Sequence, residues 1–389
     1  MRICIVGGKL QGLEATYLSK KAGIESVLID KDPNTPASYM ADEFHCIDVL
    51  KDRIAEKILK SADGILPANE DRETLTFLEK VSERIGVPYM QDNNAFWISS
   101  DKNKSKGLFE SLEIPQPKKW PECGFPVIVK PANRSGSVGI FRADNDMELR
   151  EAQKAVSSID KNVIIQKFIC GKALSLELIA FEGGVVPLQT TELEFDESYG
   201  CKRVIAPYQG KELTSKEYVR VSKRVAEGLN ISGLMDTQAI VNENGLPLMI
   251  EINARLPSQT PTAVYHSSGV NMVSLLMEVF TQGRLAVPAI EPRYTVIFQH
   301  VQIKGNKISV KGEHIIGEAE NLRLEKNFFG LDEAITNLSE KSTSGVATLI
   351  VKDNCLKKVN ERLANAIREM MSEYHLSEYD DPSPAFAVK

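Results

Sequence analysis

Apolar residues change their spacing several times along this chain, and each change marks an element. Residues 3–6 (Ile-Cys-Ile-Val) form a continuous apolar run that ends at Gly7-Gly8. Such a run is too short for a helix and predicts a buried strand. A helical stretch over 10–21 stops at Gly23, and residues 26–30 predict a second strand. Residues 64–67 predict another buried strand and 71–86 a helix. Strands separated by helices of this length indicate a parallel, doubly wound sheet. The basic segment 99–119 contains Pro115 and Pro117 and predicts a helix running into a linker. Strands follow at 127–129 and 163–165, with a Ser/Gly-rich loop between them. From 176 to 256 strands dominate, with one helix near 215–229. Residues 236–241 and 246–252 flank Asn242-Glu-Asn-Gly245 and predict a hairpin. Strands are expected at 295–303, 307–310 and 346–351. Leu356, Val359, Leu363, Ile367 and Met371 recur at helical spacing, the packing stripe of a final helix. The polar tail from Ser377, with two prolines, is expected to fray.

A length of 389 residues suggests two or three domains and room for substantial cores. The 47 Lys and Arg against 53 Asp and Glu leave no basic excess for a nucleic-acid partner. A 42% hydrophobic and 26% charged composition excludes a wholly disordered or fibrous chain. The longest uncharged stretch, after Arg255, is broken by Pro257, Ser258, Gln259 and Pro261, so it predicts no membrane span. The apolar start is too short for a secretory signal. Six cysteines without a CxxC and five histidines without an HxxxH argue against a zinc site or a disulfide framework. Scattered free cysteines fit a cytoplasmic protein.

Three constellations carry chemistry. Gly7-Gly-Lys-Leu-Gln-Gly12 lies where a dinucleotide fingerprint would, and Asp30 where its ribose-binding acid would. Lys9 replaces the glycine that admits a pyrophosphate, which argues against an NAD-binding oxidoreductase. The loop can still present N–H groups to a carboxylate. Lys130 ends a strand before Ser135, Gly136, Ser137 and Gly139, a loop able to cradle phosphates beside a lysine. The Walker spacing is absent. In a strand, alternate residues share a face, so Glu251, Asn253 and Arg255 project together, as do Asp236 and Gln238 opposite them. Carboxylate and amide oxygens suit Mg²⁺ held with substrate phosphates, and the arginine suits a transferring phosphoryl group. Ile250 and Ile252 are expected on the buried face.

This ordered set resembles the ATP-grasp ligases over nearly the whole chain. The resemblance implies an α/β protein, α+β in parts. A Rossmann-like N-terminal substrate domain would span 1–95, a small central lid domain with its linker 96–185, and a C-terminal mixed-sheet catalytic domain 186–389. It implies that ATP activates a carboxylate as an acylphosphate, which an amine then attacks. Lys130 would bind phosphates, and Ser135, Gly136, Ser137 and Gly139 would cover them. Asp101-Lys102 resembles the family's Asp-Lys, with Lys104 and Lys106 leaving the register open. Gln166, Lys167, Phe168 and Ile169 would hold adenine. The acid that often holds ribose is replaced by Ala173, leaving Glu177 or a main-chain group. Lys202 or Arg203 would add a phosphate contact. Glu251 and Asn253 would carry Mg²⁺, with Gln238 or Asp236 at the other position, and Arg255 would steady the acylphosphate. Lys9, Leu10, Arg255 and Ser258 would face the amino-acid substrates, and Glu14, Glu70, Asp71, Glu192 or Glu194 would bind their ammonium groups. Within the family, the glycine motif, the run 30–37 and the run 255–261 are most like ligases that join 3-methyl-D-ornithine to the ε-amine of L-lysine in pyrrolysine biosynthesis. Other ATP-grasp amino-acid ligases and purine-pathway carboxylating enzymes are the alternatives. Relatives are often dimers, so a homodimer is allowed.

Overall fold

The computed structural model describes residues 1–133, 136, 139–286, 288–339 and 342–384. The four short strands at the N-terminus pair in parallel in the order Glu43–Cys46, Glu25–Asp30, Arg2–Val6, Gly64–Pro67. Helices Leu10–Ala22 and Arg72–Ile85 follow strands as the alternation requires, each closed by a left-handed glycine, Gly23 and Gly86. A Cβ on Gly12 would stand 2.0 Å from Gly7 O, so only glycine lets this helix start against the strand end.

A small antiparallel sheet follows, Phe141–Ala143, Val127–Pro131 and Val163–Lys167. Helix Asp146–Ser157 covers it through Leu149, Ala152 and Val156. The rest is an eleven-stranded sheet. It includes Ala173–Phe181, which falls inside the 96–185 span expected for the lid domain. The hairpin forms from Gly233–Val241 and Pro247–Asn253, pairing Asp236 with Asn253 and Gln238 with Glu251. Register shifts after Gln238, where Ile250 is the extra residue. The bulge corrects one expectation: Ile250 does not share the buried face of Ile252 but lines a cleft beside Glu251.

The uncharged stretch forms helices Thr260–Ser268 and Met272–Gln282, packed in the main core through Ala263, Val264, Val273 and Leu276. Among the described residues no helix is long and apolar enough to cross a membrane. The tail does not fray through residue 384. Glu378–Asp380 pairs in parallel with Lys307–Val310. Beyond it, Asp381 Oδ1 and Pro382 O each lie 2.5 Å from Lys202 Nζ, and Ser383 Oγ 3.0 Å. A buried lysine that needs acceptors holds the polar tail down.

A buried network ties the first helix to the rest of the chain. Tyr17 Oη lies 2.6 Å from both His266 Nε2 and Glu333 Oε2, and Lys21 pairs with Glu333. Burial opposes ionisation of Glu333, yet hydrogen bonds from His266, Lys21 and Tyr17 hold its carboxyl down at about 2. A folded pKa below the ordinary 4.5 contributes stability above that pH and loses it as pH falls toward 2. Glu333→Gln is therefore expected to cost about 3 kcal/mol at pH 7. The deficit should shrink between pH 4.5 and the acid limit of folding. Urea midpoints of the two proteins across that range check this, and equal midpoints at pH 7 would remove the network from the stability of the fold.

Candidate active site

Two clefts meet at the hairpin. The first holds about 880 Å³ between the small and large sheets, part of it open to solvent. Its walls are Ile128, Ile140, Phe168, Tyr199, Ile240 and Ile250, and Lys102, Lys130, Gln238 and Glu251 lie at its polar end. The second holds about 910 Å³ and shares Gly136, Phe195, Gln238 and Glu251 with the first. It continues past Asp236, Asn253 and Arg255 to Leu10, Glu70 and Ser258.

Local rules aim the lysines. Asp101 caps helix Lys102–Ser111, accepting from Asn103 N at 2.9 Å and Lys104 N at 3.3 Å. Lys102 Nζ then lies 3.3 Å from Glu251 Oε1. Residues two apart on a helix point to different sides, so Lys104 faces solvent and lines neither cleft. Lys106, one turn on, lines a recess beneath Lys102 and Lys130, and burial lowers its pKa. Lys130, near the end of its strand, is 6% exposed. Burial pushes its ammonium down to about 8, with Glu251 opposing and Lys102 and Lys106 adding. Positive groups gathered in a partly dry cleft suit a polyanion.

Gln166, Lys167, Phe168 and Ile169 line the first cleft at the end of Val163–Lys167. The Lys167 ammonium is tied back to Phe125 O at 2.7 Å. The Arg142 guanidinium lies 4.4 Å over the Phe168 ring. Gly136 lines both clefts, while Gly139 packs under Ile159 and Pro131 and lines neither. Ser135 and Ser137 lie outside the described residues.

At the hairpin, Asp236 is buried. Its Oδ2 accepts from Asn253 Nδ2 at 3.2 Å and Gln238 Nε2 at 3.5 Å. Arg255 Nη1 lies 3.4 Å from Asp236 Oδ1, and its Nε 3.3 Å from Glu70 Oε1. Burial raises Asp236 to about 6, with Arg255 and the amide hydrogen bonds opposing. Because Asp236 takes both amide nitrogens, the amide oxygens of Gln238 and Asn253 are left for a cation beside Glu251. Among the described residues no three His, Cys, Asp or Glu converge as a metal cage. One carboxylate with amide oxygens fits Mg²⁺ that arrives with phosphate ligands.

The loop carrying Ser258 is held in place. Gln259 sits at φ 74, an uncommon conformation for a residue with a side chain. Its Oε1 lies 3.1 Å from His300 Nε2, on an imidazole that burial keeps neutral with a pKa of about 3.

Several expectations need correction. Glu177 pairs across from Asp236 but lies under Thr260, fully buried, and lines neither cleft. Burial pushes it up to about 8. Lys202 is the extra residue of a bulge, so it does not line the cleft that its neighbour Cys201 lines and holds the tail instead. Arg203 is engaged by Glu194, Gln299 and Asp381. Of the substrate candidates, Leu10, Glu70, Arg255 and Ser258 line the second cleft, and the others do not. Lys9 is exposed. Glu14 is buried and accepts from Thr262 N at 2.5 Å, closing the start of helix Thr260–Ser268. Asp71 caps Arg72–Ile85. Glu192 pairs with Lys172 and Glu194 with Arg203. Asp30 Oδ2 accepts from Gly8 N at 2.6 Å, so it braces the glycine loop.

Sequence reasoning missed Gln11, Tyr199, Gln259 and Glu313. Gln11 was within reach, since it sits in the glycine motif beside Leu10 and donates to Glu70 Oε1 at 3.1 Å. The others carry no local signal.

Comparison with known proteins places the chain in a family. Residues 3–90 match the family model described as "PylC-like, N-terminal domain", and 103–280 the one described as "D-ala D-ala ligase C-terminus". In structure, the chain is similar to the biotin carboxylase domain of Hydrogenobacter thermophilus 2-oxoglutarate carboxylase, solved as a dimer with MgADP. The TM-score is 0.72 at 17% identity, over 94% of this chain and 89% of that one. In sequence, it is 38% identical to the 3-methyl-D-ornithine–L-lysine ligase of Methanosarcina barkeri, over 81% of this chain and 83% of that protein. It is 39% identical to the enzyme of the same name from Methanosarcina acetivorans, over the same shares. On that likeness, carried on an ATP-grasp fold, the chain belongs to the family of 3-methyl-D-ornithine–L-lysine ligases.

Proposed function

We propose that the protein joins 3-methyl-D-ornithine, activated at its carboxylate by ATP and Mg²⁺, to the ε-amine of L-lysine, a step in pyrrolysine biosynthesis. The observation that carries this is the seam at Gln238 and Glu251, where an apolar, lysine-ended cleft opens into an acidic one. A nucleotide in the first would place its phosphates against amino acids in the second. When bound, MgATP supplies the phosphoryl group that turns a carboxylate into an acylphosphate. The chain's own residues do the rest. Lys102 and Lys130 hold phosphate charge, with Gln166 to Ile169 along the base. Glu251, with the amide oxygens of Gln238 and Asn253, holds the metal, and Asp236 orients those amides. Arg255 holds the phosphoryl oxygens near the reacting carboxyl group. The amine nitrogen then attacks the acyl carbon, the carbon–oxygen bond to phosphate breaks, and a proton leaves with the nucleophile's charge. Walls from both sheets keep water from the acylphosphate.

The sheet memberships suggest the working units: 1–95 for the amino acids, 96 to about 170 over the nucleotide, and the remainder for the metal. The second boundary moves from 185 because Ala173–Phe181 hydrogen-bonds into the large sheet. Six cysteines, none of them in a disulfide among the described residues, favour a cytoplasmic enzyme.

The test is phosphate release with MgATP and pairs of amino acids, followed by mass spectrometry of the products. 3-Methyl-D-ornithine with L-lysine should release phosphate and give a product lighter than their sum by one water. Release with another pair, such as two molecules of D-alanine, would keep the chemistry and replace the substrates. Folded, nucleotide-binding protein that releases nothing with any pair would overturn the ligase reading.

A further inference from the structure

Among the described residues four carboxylates line the second cleft, and three have cationic partners. Glu251 faces Lys102, and Asp236 and Glu70 share Arg255. Glu313 differs. Among the described residues no cationic side chain pairs with it, and its Oε2 is closed off from solvent without a hydrogen bond. It precedes helix His314–Gly317 without capping it. Burial pushes its carboxyl up to about 7, with Asp196 adding and backbone N–H groups opposing. Asp196 cannot relieve it, because its oxygens are taken by the N–H groups of Ser198, Gly200 and Gly312. A desolvated carboxylate without a counter-charge is costly, so this end of the cleft calls for a cation.

The setting limits what the cation is. Leu10, Leu193, Phe195 and Cys201 line the same cleft as Glu313 and suit a run of methylenes. Glu313 takes a backbone hydrogen bond from Cys201. The strand that begins at Cys201 lies three steps across the sheet from the strand of Asp236. At roughly 4.8 Å a step, Glu313 is remote from the reacting end at Glu251. The group it meets is therefore not the attacking amine.

We propose that Glu313 binds a primary ammonium group of an amino-acid substrate, remote from the bond being formed, and so selects diamino acids. This rests on the ligase reading above. Two substrates can supply the group, the ornithine or the lysine, and analogues tell them apart. D-Norvaline lacks the δ-ammonium of D-ornithine, and 6-aminohexanoate lacks the α-ammonium of L-lysine while keeping the nucleophile.

The experiment compares wild-type protein and Glu313→Gln on both pairs, with KM for ATP as control. The preference in kcat/KM for the ammonium-bearing partner should fall about 10- to 100-fold for one pair. KM for that substrate should rise, KM for ATP should stay put, and Glu313→Asp should recover part of the loss. The pair that responds identifies the substrate. Unchanged preferences for both pairs, or an equal loss on every substrate including ATP, would overturn the assignment. If wild-type protein ligates no pair, the ligase reading fails, and calorimetric titration with D-ornithine and L-lysine decides Glu313 separately. Weaker binding of either ligand by the variant supports it. Equal binding by both proteins, or none by either, overturns it.

Discussion

Lys130→Ala is expected to lower kcat/KM for ATP by about 10²–10³-fold, the usual loss when one preorganised donor is removed from a developing charge. Lys130 is held by its strand, 6% exposed, and set against Glu251. An alanine there leaves space that water fills, and water is a weaker, unfixed partner for a phosphate. The loss should fall on turnover as well as on nucleotide affinity, and steady-state kinetics with varied ATP separates the two. The same lysine makes a pH prediction. Its nucleotide-free pKa of about 8 lies below the ordinary 10.5, so above pH 8 it is largely neutral. A bound polyanion favours the charged form. ADP binding near pH 8.5 should therefore draw a proton from solution. Titration calorimetry in buffers of different ionisation enthalpy reads that proton, and Lys130→Arg should abolish the uptake. A variant Lys130→Ala that turns over at the wild-type rate would remove Lys130 from the phosphate site.

Glu251→Ala should be comparably damaging, but through the metal. Among the described residues Glu251 is the one carboxylate that lines both clefts, and the amide oxygens beside it are weaker ligands for a hard cation. The variant should need far more Mg²⁺ for half-maximal turnover, with kcat down about 10²-fold or more at saturation. Wild-type protein without nucleotide should bind Mg²⁺ poorly, because no three acidic or other strong ligands converge among the described residues. An unchanged Mg²⁺ dependence in the variant would take Glu251 out of the metal site. A wild-type protein that binds Mg²⁺ tightly without nucleotide would contradict the amide-rich ligand set.

Much of this was legible in the sequence because it rests on local periodicity and local turns. The parallel N-terminal strands, the hairpin across Asn242–Gly245 and the final helix each follow from spacing alone. Strand alternation put Glu251, Asn253 and Arg255 on one face, and the structure has Glu251, Asn253 and Arg255 lining one cleft. Lys102 was legible as a candidate because Asp101-Lys102 resembles the family's Asp-Lys, but its choice over Lys104 and Lys106 needed the helix to be docked beside Glu251.

What failed did so for nonlocal reasons. A bulge turned Ile250 outward, and no feature of the strand itself announces a bulge. Glu14, Glu177 and Lys202 look like any charged residue in sequence, and each is spent on a contact far along the chain. The tail reads as disordered until the need of a buried lysine for acceptors is visible. The sequence by itself determined the parallel N-terminal strands, the hairpin and the final helix, and it offered the candidates for phosphate and metal, since these depend on neighbours a few positions apart. Only the tertiary structure decided which carboxylates are paired and which, like Glu313, face the cleft without a cation. Burial and partnership join residues hundreds of positions apart, as Glu333 and Tyr17 do, and no spacing rule reaches that far.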